Sequence, residues 1–313
     1  MFVSPVFTSK YGIRPETELR VHGGPLDGMI VHVVQLGPLR SKGINLNVDY
    51  ENIYGRSIEL KGGKFLVEYP MPKTGGDGDR FTGLLIGSSG AGKTRTCLTY
   101  IYNFRRMFPN TVKNPVYWIS IAPCDSKKAK KLLGTRTVTV NPTTMEPIVT
   151  YRDPLMNTIR ITRDSDFERY FLNPHTKLGI YEDDRNGNFY GNLSSALVVV
   201  DDVENIPEDR KVLLDNLLSC IMNLGRHTCT SLIWCRHELG GHTSLARKSL
   251  KEIKYIGIFN AGGNDIEKYN KNFLGNLKGL PKFVKANCNT HTMIYNRAPK
   301  FLLTDTGKAM ILP

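Results

Sequence analysis

The chain has 313 residues, 40% hydrophobic and 23% charged, with no low-complexity tract or internal repeat. Such a composition buries a sizeable core and excludes a chain dominated by disorder. Lys and Arg number 42 against 29 Asp and Glu, a formal charge of +13, and so basic a surface draws polyanions, nucleic acid first, because each neutralised phosphate releases condensed counterions.

No apolar run approaches the roughly 20 residues of a membrane helix, so no membrane insertion is expected. The opening MFVSPVFTSK lacks the basic-then-apolar order of a secretory signal. Six scattered cysteines without a CxxC pair suit reduced thiols in cytosol.

In chain order, the first residues read as short strands joined by glycine turns: 20–22, 29–35, 57–60 and 64–69, with Gly62-Gly63 as a hairpin signal. Residues 70–79 concentrate Pro, Gly and Asp and read as a linker. A small β-rich N-terminal region over 1–77 is therefore expected, followed by a core with a C-terminal extension over 78–313.

The pattern then changes to strands alternating with helices, which predicts an α/β core with a mostly parallel sheet flanked by helices. A strand over 81–86 leads to a helix over 93–108. That helix places Cys97, Ile101, Phe104 and Phe108 on one stripe, and Pro109 stops it. A strand is expected over 116–122, an exposed basic helix around Lys127, Lys128, Lys130 and Lys131, and a strand over 137–140.

Residues 196–200 form a strongly apolar strand ending in Asp201-Asp202. The helix after it opens at Pro207-Glu208-Asp209, ends before Gly225 and buries Leu214, Leu217, Leu218, Ile221 and Met222. Strands over 230–235 and 255–259 bracket a helix over 244–254. The Asn- and Lys-rich tail from Gly263 ends in an apolar segment, 301–304, expected as an edge strand.

Gly87, Ser88, Ser89, Gly90, Ala91, Gly92, Lys93 and Thr94 read GSSGAGKT between a strand and an amphipathic helix, with Arg95 next. This is the GxxxxGK[ST] phosphate loop. Its glycines let backbone N–H groups converge on phosphates, Lys93 reaches the β- and γ-phosphates, and the Thr94 hydroxyl ligates Mg²⁺.

Carboxylates at the C-terminal end of a buried strand sit where a parallel sheet presents its ligand groups. Asp201 is the expected Mg²⁺ partner. Asp202, facing the other way, orients or deprotonates the attacking water, with Glu204 in reserve. Arg226 is a candidate finger onto a neighbouring subunit's γ-phosphate, with Arg236 and Arg247 competing.

His227, Cys229, Cys235, His237 and His242 resemble a zinc set, but a strand between the two cysteines separates them by about 20 Å, too far for one ion. Neither an NKxD guanine-reading motif nor an LSGGQ-like signature is present. ATP is the expected nucleotide.

The order GSSGAGKT, LVVVDDVENI and NLGRHTCTSLIWCRHELGGHTSLARKSLKEIKYIGIF resembles the genome-packaging ATPases of nucleocytoplasmic large DNA viruses, within the FtsK–HerA superfamily. YNKNFLGNLKGL and IYNRAPKFLL in the tail extend the resemblance, which spans roughly residues 80–305. It implies a RecA-like P-loop NTPase core, ATP with Mg²⁺, and a homo-oligomeric ring, with a hexamer as the first expectation.

It further implies double-stranded DNA as the moved substrate, capsid or portal-vertex proteins as partners, and the host cytoplasm or the virion as location. Lys93, Thr94, Asp201 and Asp202 keep the roles above, and Arg226 falls where a finger acting in trans is expected. His237 stands where the superfamily often has a γ-phosphate-sensing Gln, a departure that puts an imidazole in place of an amide at that position. The rival expectations are a cellular-type translocase or helicase of the same superfamily, a nucleoside or nucleotide kinase, and a nucleotide-dependent scaffold without turnover.

Overall fold

The computed structural model describes residues 18–22, 30–34, 65–68, 80–122, 127–140, 147–152, 154–183, 185–237, 252–259, 264–296, 301–305 and 308–311. Three short strands come first: β1 (Glu18–His22), β2 (Ile30–Val34) and β3 (Phe65–Glu68). They are followed by β4 (Thr82–Ile86), α1 (Lys93–Met107), β5 (Val116–Ser120), α2 (Lys127–Leu132), β6 (Thr135–Val140), β7 (Pro147–Arg152) and β8 (Asn157–Arg160). Next is α3 (Asp164–Phe167), continuing into a π-helical turn, Glu168–Leu172.

Beyond it lie β9 (Tyr181–Glu182), β10 (Phe189–Tyr190), β11 (Leu197–Asp201), α4 (Glu208–Leu224), β12 (Ser231–Arg236) and β13 (Tyr255–Phe259). The chain closes with α5 (Asn264–Phe273), α6 (Leu280–Asn287), β14 (His291–Tyr295), β15 (Phe301–Thr304) and β16 (Lys308–Ile311). No helix among the described residues is long and apolar enough to cross a membrane.

The chain divides into two compact units, and α1 and β12 each run from one into the other. The first unit takes residues 1–71, 81–99 and 234–313. Its strand order is β3-β1-β2-β16-β15-β14-β13-β4, with the end of β12 beside β4. The neighbours β13 and β4 are parallel, and β13 through β16 form an antiparallel meander. β4 and β13 are buried along their whole length, as strands covered on both faces must be, which is why each reads as an unbroken apolar run.

The second unit takes residues 72–80 and 100–233. There the start of β12 lies beside β11, and β11, β5 and β8 are mutually parallel neighbours. β6 with β7 and β9 with β10 form separate antiparallel pairs. Pro207 precedes α4, two acids occupy its first turn, and its buried face is Leu214, Leu217, Leu218, Ile221 and Met222, the stripe its spacing predicts.

The α/β architecture agrees with the alternation in the sequence. The expected strands over 57–60, the turn at Gly62-Gly63 and most of the helix over 244–254 lie outside the described residues. The expected linker over 70–79 lies outside the described residues, and β1, β2 and β3 fall in the same unit as β4. β2 pairs in parallel with β16, so the N-terminal strands are joined to the C-terminal ones.

In the tail one stretch gains structure and one expectation changes. The Asn- and Lys-rich stretch contains α5 and α6, because Ile266, Tyr269 and Asn270, then Leu280 and Val284, recur at helical spacing and are buried. Residues 301–304 do form a strand, but not an edge one: β16 pairs on its outer side.

Candidate nucleotide site

In the first unit β4 delivers the chain into the glycine loop. The Gly87 amide donates to the Arg236 carbonyl at 3.1 Å, anchoring the loop's start to the end of β12. Gly87, Gly90 and Gly92 have φ of +154°, +76° and +103°, backbone conformations that side chains disfavour. Between them Ala91 N donates to Ser88 O at 3.3 Å, and Thr96 N to Gly92 O at 3.0 Å begins the helical ladder.

Lys93 is the first residue of α1, and the first turn of that helix contains no acid. The N-terminal N–H groups and the positive end of the helix macrodipole are therefore not neutralised from within the helix. Lys93 is buried, yet its ammonium folds back over the loop, donating to the carbonyl of Gly87 and to that of Ser88 at 3.0 Å. Ser88, Ser89, Gly90, Thr94 and Arg95 are exposed, and Ala91 and Gly92 half-buried.

The positive-φ glycines, the ammonium over the loop and a first helical turn without acids leave a set of donors that suits a polyphosphate. Backbone N–H groups and one cation converge where no side chain intrudes.

In the second unit Asp201 ends β11 in register with Ser120 of β5 and is buried. Asp202 turns away in the left-handed region, φ +54°, and is exposed. Glu204, in the following turn, is exposed as well. The two adjacent aspartates thus occupy different environments, as their alternation along a strand predicts.

Arg226 lies at the other end of β11. The turn that holds it is tied to the residues before that strand: Ser195 N donates to Thr228 O at 2.7 Å and Ser231 N to Ala196 O at 2.8 Å. Across β11 that separates it from Asp201 by about 17 Å at 3.3 Å per residue. Arg226 is exposed, and its Nε donates to His227 Nε2 at 3.2 Å. His227 in turn stacks on Phe189, with ring centroids 4.4 Å apart.

Of the competing arginines, Arg236 lies over Trp234, 5.1 Å from its ring centroid, and Arg247 lies outside the described residues. His237, half-buried, follows Arg236 directly. The rejected zinc set has a different use for its members: Cys235 is buried with its thiol 3.2 Å from that of Cys97 on α1.

Sequence reasoning missed two residues that shape these sites. Phe259 packs against Gly87, and Arg80 is buried under the last turn of α4. Arg80 could have been flagged as a lone cation abutting an apolar strand. Phe259, in YIGIF, carries no such signal. Comparison with protein-family models and with curated proteins finds no match for this chain.

Proposed function

We propose that this chain is an ATP-hydrolysing motor that translocates double-stranded DNA, packaging a viral genome into its capsid. The observation that carries the reading is the loop from Gly87 to Thr94, with its positive-φ glycines and Lys93 arched over the Gly87 and Ser88 carbonyls at the start of α1. Together with the strand-to-helix setting, it supports a P-loop NTPase core of the RecA-like kind.

Each residue then has a task. The loop amides and Lys93 hold the β- and γ-phosphates, and the Thr94 hydroxyl and buried Asp201 hold Mg²⁺. Mg²⁺, when bound, neutralises charge on the β- and γ-oxygens. Exposed Asp202 orients the attacking water and takes its proton, with Glu204 next in line, and His237 hydrogen-bonds the γ-phosphate or that water.

Arg226, at the far end of β11 from Asp201, is badly placed to serve its own subunit's acids. Its position favours a finger offered to a neighbour, hence a ring, with six subunits as the first expectation. The charge of +13 and the exposed Lys130 and Lys131 on α2 support a DNA substrate. The resemblance in sequence supports capsid or portal-vertex partners, and the host cytoplasm or virion as the place of action.

The test is the ATP hydrolysis rate of the purified chain, with and without duplex DNA, at fixed salt. Stimulation by DNA and loss on Lys93→Ala are expected, with partial recovery when Lys93→Ala and Arg226→Ala subunits are mixed. DNA-independent phosphorylation of a nucleoside would overturn the motor in favour of a kinase.

A further inference from the structure

Phe259 ends β13, and the parallel register of β13 with β4 pairs Ile258 with Ile86, which brings Phe259 level with Gly87. A Cβ placed on Gly87 would lie 2.7 Å from the Phe259 Cβ and 3.2 Å from its carbonyl oxygen, and one on Gly92 would lie 3.8 Å from its ring. Buried Phe259 thus faces the first glycine of the phosphate loop with its Cβ and carbonyl and the last with its ring.

Its ring is stacked in turn. His291, its register partner at the start of β14, lies parallel to it with centroids 4.8 Å apart and 14° between planes. The imidazole is oriented through Nδ1 and the Thr290 hydroxyl at 2.9 Å. That hydroxyl donates to Asp305 at 2.7 Å. Asp305, just beyond β15, also accepts the Asn289 and Thr290 amides at 2.8 and 2.6 Å.

We propose that Phe259, held flat by His291, is a positioning residue for the phosphate loop, so that the β14–β15 hairpin sets nucleotide affinity through this stack. The proposal rests on the reading of Gly87 to Thr94 as a phosphate loop. A loop whose amides must converge on phosphate gains from a rigid floor, because ordering it on binding would cost affinity. A stacked aromatic–imidazole pair, each ring holding the other in place, supplies that floor.

The test titrates a methylanthraniloyl-ATP probe with Mg²⁺ into the full chain and records the melting temperature of every variant. The control is Tyr255→Leu, since Tyr255 stacks on Phe81 with the same 4.8 Å and 14° geometry at the other end of β13. Phe259→Ala should weaken binding by about tenfold or more, His291→Ala by roughly three- to tenfold, and His291→Phe should restore it to within about twofold. Tyr255→Leu should lower the melting temperature yet leave affinity within about twofold.

Should Phe259→Ala fail to fold, Phe259→Leu and the His291 pair decide. If the unaltered chain binds and these variants bind equally well, or if Tyr255→Leu loses as much affinity, the positioning role is overturned. If the unaltered chain binds no probe, the phosphate-loop reading itself falls and takes this proposal with it.

Discussion

Arg80 spreads its guanidinium beneath the C-terminal turn of α4, donating to the carbonyls of Ile221 and, at 2.6 Å, Met222. The Ile221 carbonyl also accepts the Gly225 amide at 2.9 Å, and the buried cation adds a charged donor where the helix presents the negative end of its macrodipole. A Cβ on Gly225 would run into both the Arg80 guanidinium and the Ile221 carbonyl oxygen.

Arg80→Leu should therefore destabilise the protein by about 2 kcal/mol, the loss of hydrogen bonds from a charged donor to buried carbonyls, of which Ile221 keeps the Gly225 amide. Arg80→Lys should recover only part of it, since an ammonium cannot fork to two acceptors in one plane. Chemical denaturation followed by far-UV circular dichroism checks both. A change below about 0.5 kcal/mol for Arg80→Leu would show that the cap is dispensable.

The contrast between Asp201 and Asp202 predicts separable losses. Asp201→Ala should abolish Mg²⁺-dependent turnover. Asp202→Asn should lower kcat by about a hundredfold or more while ATP affinity stays within about threefold, because the exposed carboxylate acts on water. Asn tolerates the positive φ that Asp202 adopts, so a fall in kcat cannot be assigned to backbone strain. Unchanged kcat in Asp202→Asn with loss in Glu204→Gln would move the role to Glu204.

Acid should weaken the first unit in two windows. Burial lowers the His291 pKa below its ordinary 6.5, with nearby Asp305 opposing, so its stabilisation is intact above that value and declines as pH falls through it. Burial works to raise the pKa of Asp305. Hydrogen bonds from the Thr290 hydroxyl, the Asn289 and Thr290 amides and Cys288 outweigh it and hold the group below 3.8, so a second loss begins near that pH. In thermal melts across pH, His291→Phe should flatten the upper window and Asp305→Asn the lower.

What the sequence alone determined is what short-range chemistry dictates. Unbroken apolar runs named the buried strands β4, β11 and β13. The spacing of Leu214, Leu217, Leu218, Ile221 and Met222 named the buried face of α4, and the glycine pattern before Lys93 named a loop whose φ values only glycine adopts freely. Each of these follows from the conformational freedom and periodicity of neighbouring residues.

The tail shows where that stops. Asn in α5 carries a weak helix signal, and burial of Ile266 and Tyr269 anchors the segment as a helix. Only the tertiary structure decided that β16 pairs with β2, that Arg226 stands at the opposite end of β11 from Asp201, and that Phe259 lies against Gly87. Those relationships depend on residues far apart in sequence, through strand register and van der Waals contact, and none of the three has a local pattern from which it can be read.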